Sequence, residues 1–296
     1  MRPKLNRLCF VLMVLALVSL ACLNAPQPKA APAVETTAPP EVLPSDTPIP
    51  PMPEPPIATT APPPPPTPSL LSVTFEGLNF SFDPAIAASA ANSKLAPVGE
   101  GQGAPWEIQP ETIQSKFEGY AHSGAFTDPV ILVYPVQDFS KLSDAAAKQI
   151  DKLRNLLATR PAVAPADGMP FLPIWNAAQM MSTKIDYLDF ANGSGVRYLT
   201  QYGQAAAPIN NTYLFYTFQG LTADGKYAIS AILPVANPIL PPDPSIVPGG
   251  DYEKFNNEFA TYLADIEKKL DAQPDDSFQP HLGLLDDMIK TIKINK

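Results

Sequence analysis

The sequence predicts an α+β domain: an antiparallel sheet of about six or seven strands with helices packed on it, with an α/β/α sandwich as the layering that fits. Three observations carry this. Four short apolar runs follow one another between Met180 and Leu233 with turn residues between them, the pattern of an antiparallel meander. Two stretches, one before and one after that meander, repeat apolar residues at helical spacing. Finally, 18 of the 38 prolines crowd into Pro26–Ser69. Proline lacks an N–H and fixes φ, so that stretch can build neither helix nor interior strand. Residues 70–296 are left as one globular domain.

Its elements follow in order. Val73 and Phe75 alternate with polar residues, and Leu78, Phe80 and Phe82 resume the alternation after Gly77, so two short strands flank a bend. Ala85 to Trp106 is small and broken by glycine and proline, and reads as loop. Ile113–Tyr120 is a strand. Val130–Tyr134 is five apolar residues in a row, the signature of a strand covered on both faces. Leu142, Ala146, Ile150, Leu153 and Leu157 form one helical face, capped by Ser140 or Ser143 and stopped by Pro161. Lys148, Asp151, Lys152 and Asn155 occupy the opposite, solvated face. After a long connection ending Met169-Pro-Phe-Leu-Pro-Ile-Trp175, the meander strands are about 180–190, 196–202, 213–218 and 226–233. Asn192–Gly195 and Ala223–Gly225 supply turns. Tyr252, Phe255, Phe259, Tyr262, Ile266 and Leu270 make one apolar stripe, which places a single helix over Tyr252–Leu270. A last helix covers about Pro280–Thr291.

Ahead of the domain lie two further segments. Arg2, Lys4 and Arg7 precede an apolar run, Leu8–Ala21, of 14 residues. As a helix it spans about 21 Å, short of the roughly 30 Å hydrocarbon core, so residues 1–21 read as a cleaved export signal. Residues 22–69 read as a tether. In polyproline II at about 3.1 Å per residue, its proline-rich part reaches up to about 140 Å. The cysteines are Cys9, inside the apolar run, and Cys22, directly after it. The domain itself therefore has no thiol, which excludes disulfides, thiol catalysis and cysteine-ligated zinc. A formal net charge of −9 excludes a basic nucleic-acid binder.

Val18-Ser19-Leu20-Ala21-Cys22 resembles the lipobox of bacterial lipoproteins. Ala21 and Cys22 match that pattern, while Ser19 and Leu20 depart from it. The resemblance implies that Cys22 carries lipid as the first mature residue and that the domain stands on the extracytoplasmic face of the cell membrane. Ser19-Leu20-Ala21 also suits ordinary signal cleavage, which would make the protein secreted. The order of elements in residues 70–296 loosely resembles the PsbP-type α/β/α sandwich, a likeness of fold with no motif and no implied activity.

No catalytic constellation is recognisable. Ser194 stands in a turn without a base, and no phosphate loop occurs. His122 and His281 are far apart and suit turn or capping roles. Asp186 and Asp189, an odd number apart on one strand, face opposite sides. Asp275-Asp276 and Asp286-Asp287 read as solvated acidic surface, and no cofactor or metal is implied. The candidate ligand groove comprises Trp175, Phe171, Trp106 and Arg197. The aromatics can stack a sugar or grip an apolar molecule, and Arg197 can meet an anion unless Asp186 pairs with it across the strands. The reading is a lipid-anchored binding or assembly module for a protein, glycan or small molecule. The alternative is an extracytoplasmic hydrolase that uses dispersed carboxylates.

Overall fold

In the computed structural model, residues 69–296 are described; the expected export signal, Cys22 and nearly all of the expected tether lie outside them. A seven-stranded sheet, every pairing antiparallel, forms the middle layer. Its strands are β3 (Ser89–Leu95), β4 (Thr112–Glu118), β5 (Val130–Pro135), β7 (Thr183–Phe190), β8 (Gly193–Thr200), β10 (Phe215–Thr222) and β11 (Tyr227–Pro234). Their spatial order is β3-β4-β5-β11-β10-β8-β7. The meander thus supplies four consecutive neighbours, and β5 is buried on both faces as its unbroken apolar run requires.

One face is covered by α1 (Val136–Leu142), α2 (Asp144–Thr159) and the connection that follows them. The other is covered by α4 (Phe259–Asp271), α5 (Leu282–Thr291) and a small sheet of β1 (Leu71–Phe75), β2 (Leu78–Phe82) and β12 (Lys293–Ile294). The fold is the α+β, α/β/α sandwich expected. Side chains alternate faithfully: Leu132, Tyr134, Val196, Tyr198 and Phe215 enter the first core, while Ile131, Val133, Leu199, Tyr216 and Phe218 enter the second. The β1–β2 hairpin turns on Glu76 and Gly77, both at positive φ. A β-carbon on Gly77 would lie 2.8 Å from the Asn295 carbonyl oxygen, so only glycine lets β12 close against this turn. Among the described residues no helix is long and apolar enough to cross a membrane.

The structure corrects four local expectations. Ala85–Trp106 is not all loop, because β3 pairs with β4 over seven residues. Its Ser-Ala-Ala-Asn-Ser-Lys-Leu sequence has little strand propensity; the free hydrogen-bonding edge of β4 imposes the conformation, and the polar chain blunts the outer edge of the sheet. The first helical stripe spans two helices. Ser143 ends α1 and caps α2 by accepting the Ala146 N–H, leaving Leu142 on α1 and 37% exposed. The turn expected at Asn192–Gly195 tightens to Ala191-Asn192, and Gly193 and Gly195 enter β8. There a β-carbon on Gly195 would sit 2.3 Å from the Phe218 ring. Last, the Tyr252–Leu270 stripe breaks at Glu258 into α3 (Tyr252–Asn257) and α4. Phe255, Ile266 and Leu270 are buried, but Phe259 is only partly covered and Tyr252 is 54% exposed.

A candidate ligand groove

The connection from Pro161 to Trp175 is held on the first face of the sheet by its own backbone. Gln219, 1% exposed on β10, accepts the Leu172 N–H at 3.0 Å and donates to the Leu172 carbonyl at 3.3 Å. Ser230 on β11 donates to the same carbonyl at 2.5 Å, and Gln219 also donates to Ser230 and Thr217. A loop crossing a buried face must have its amides satisfied, and this cluster of side chains does so. Met169, Phe171 and Leu172 are consequently buried, and the Gln149 amide oxygen accepts the Phe171 N–H at 3.1 Å.

Trp175 emerges just past this anchor. Its ring packs on Phe171 at 4.9 Å, Tyr202 at 5.1 Å and Phe215 at 5.5 Å. Tyr202 belongs to β9 (Tyr202–Gly203), which pairs with β6 (Ala178–Gln179). Gln179 donates to the Tyr202 hydroxyl at 3.2 Å, and burial pushes that phenol well above its ordinary pKa, so it stays neutral. Around this floor stand loops from distant parts of the chain. Phe126 donates its N–H to the Thr212 carbonyl and packs on Tyr213 at 5.1 Å. Trp106 comes from the loop closed by the Val98–Gln109 bridge. The Gln204–Pro208 wall is fixed from behind, where the Tyr262 hydroxyl accepts the Ile209 N–H and the Tyr252 hydroxyl donates to the Ala206 carbonyl.

The result is a hollow of about 660 Å³ with Trp106 and Phe126 at its rim, 42% and 71% exposed, and Trp175 and Tyr202 on its floor. None of the side chains that line it is an Asp, Glu, His, Lys or Arg. Trp106 and Trp175, the chain's two tryptophans, meet here from sequence positions 69 residues apart. Phe171 lies beneath them in the core. Phe126, Tyr202 and Tyr213 also belong to the groove although no sequence pattern singles them out; their one shared mark is an aromatic ring beside a turn.

Arg197 does not belong to the groove. It points to the opposite face of the sheet, 5% exposed, with Asp275 at 3.5 Å and Asp286 at 3.4 Å. Asp186 is its direct neighbour across the strands, yet no ion pair joins them. Helix α5 instead presents Asp286 from above, and the Lys184 carbonyl accepts from the guanidinium at 2.6 Å. Asp286 also accepts from the Tyr216 hydroxyl at 2.9 Å and is 7% exposed, so it is not solvated surface. Burial raises its pKa, partly opposed by Arg197 and by the Tyr216 hydrogen bond.

Two of the carboxylates that line a second hollow beside β7, Glu267 and Asp271, act as caps. Glu267 accepts the Ser182 N–H at 2.9 Å, and burial raises its pKa. Asp271 accepts the Lys184 N–H at 2.7 Å and the Thr183 hydroxyl. Together they hold the irregularity between Thr183 and Asp186, where Lys184 has positive φ. His122 donates to the Asn211 carbonyl at 2.8 Å, and His281 precedes α5. Among the described residues no three His, Cys, Asp or Glu side chains converge to hold a metal. No family model, curated protein or solved structure matches this chain.

Proposed function

We propose that the protein is a non-catalytic binding module, that the aromatic groove is its ligand site, and that a lipid on Cys22 and the proline-rich tether hold it at the extracytoplasmic face of a membrane. One observation carries the binding half of this reading: a hollow of ligand size with a packed aromatic floor and an aromatic rim, and no Asp, Glu, His, Lys or Arg in its lining. Proton transfer and electrostatic stabilisation need such groups at the reacting atoms. Beside β7, Glu267 and Asp271 accept backbone N–H groups and Asp286 pairs with Arg197.

Both tryptophans line the groove, so tryptophan emission, excited selectively, reports on it alone. Titration with soluble glycans, acyl chains and peptides should shift that emission for at least one class, saturably and without turnover. A panel that leaves the emission unchanged while the protein hydrolyses one of its members would reverse the assignment. The anchor is tested separately. Cys22→Ser should abolish incorporation of a fatty-acid analogue in a bacterial host, and equal incorporation in both proteins would refute lipidation.

A further inference from the structure

We infer that the groove binds a neutral saccharide chain; this names the ligand class of the site proposed above and rests on that reading. The first ground is charge. The chain carries a formal −9, yet no charged side chain lines the groove. A charged ligand buried against an uncharged, largely apolar wall would lose its hydration without a partner. The second ground is the polar groups that remain. Neither indole N–H makes a hydrogen bond within the described chain, nor do the Tyr213 hydroxyl, the Thr127 hydroxyl or the Asn176 side-chain amide. Gln204 donates to the Asn176 carbonyl at 2.7 Å, which leaves its own amide oxygen free. These groups stand among aromatic faces on the same hollow.

A hydrocarbon ligand would cover those donors and acceptors without satisfying them. A proline-rich peptide offers carbonyls to the indoles but has no prolyl N–H for the Asn176 and Gln204 oxygens. A sugar ring meets both demands: its C–H face lies against an aromatic ring, and each hydroxyl at its edge both donates and accepts. The ring on the floor is also in place beforehand. Trp175 is wedged against Phe171, Tyr202 and Phe215, so little side-chain entropy is lost on binding.

The test is tryptophan emission of the full mature chain, titrated with cellohexaose and chitohexaose, and in parallel with hexagalacturonate, palmitate and decaproline. A saturable shift with a neutral hexasaccharide is expected, weakened about tenfold or more in Trp175→Ala. Trp106→Ala removes a rim side chain with no aromatic contact, so it should fold as the wild type does while also weakening binding; Trp175 then remains as reporter. A shift with palmitate or decaproline alone would overturn the saccharide class and leave the binding reading standing. Equal affinity for hexagalacturonate would overturn the charge argument. Neutral-sugar affinity unchanged in both variants would displace the site, and no shift with any probe would sink both proposals.

Discussion

Replacing Gln219 by methionine keeps an unbranched side chain of similar length and deletes every hydrogen bond that fixes Leu172 to β10. The Leu172 N–H, bonded to the Gln219 oxygen at 3.0 Å, is then buried without a partner. Leaving such a donor orphaned costs about 1–3 kcal/mol. Ser230 still donates to the Leu172 carbonyl and Thr217 to the Ala231 carbonyl, so their hydroxyls lose only an incoming bond, roughly 1 kcal/mol more. The sum is about 2–4 kcal/mol, a large share of the roughly 5–15 kcal/mol that holds a domain together. For a domain of this size it lowers Tm by roughly 5–15 °C. Ser230→Ala serves as the control, because it spares the Leu172 N–H and should cost only about 1 kcal/mol. Since Trp175 follows three residues later, Gln219→Met should also shift tryptophan emission to the red as the floor of the groove loosens. Thermal melts and emission spectra on the full chain decide the matter. A Gln219→Met protein that melts within a degree or two of wild type, or a Ser230→Ala cost as large as its own, would refute the view that this glutamine holds the connection down.

Two further outcomes follow from burial and charge. Leu270→Ala should cost about 2–5 kcal/mol because Leu270 is fully buried on α4, whereas partly covered Phe259 should lose clearly less on truncation to alanine; comparable melts for the two would mean that the stripe is one continuous buried face. Asp286 has its carboxyl raised by burial, with Asp186 and Asp275 adding repulsion and Arg197 opposing them. A raised acid contributes stability that is present below its unfolded value near 4 and is lost as pH rises through the folded one. Wild-type Tm should therefore fall relative to Asp286→Asn on going from about pH 3.5 towards neutrality. A gap between the two melts that is constant or widens in favour of wild type removes burial as the dominant cause.

Much of this architecture was legible in the chain because the signals are local. Period-two and helical spacing set which side of each element faces inward, and turn residues such as Asp224-Gly225 mark where strands reverse. A loss of alternation at β5 announces burial on both faces. What escaped the sequence depends on partners far away along it. β3 becomes a strand because β4 offers it an edge; Arg197 forms ion pairs with Asp286 and Asp275 rather than with Asp186 because α5 and the turn before it close over that face. The long stripe breaks at Glu258, where the aromatic residues turn to brace the Gln204–Pro208 wall. The groove divides the same way. Trp106, Phe171 and Trp175 were visible as aromatics in proline-rich context, and the sequence alone determined that the domain carries no thiol and few histidines. That Phe126, Tyr202 and Tyr213 join them, and that Arg197 does not, was decided only by the tertiary structure. A sheet face is shared by strands from across the chain, and local spacing cannot say which of them will be neighbours.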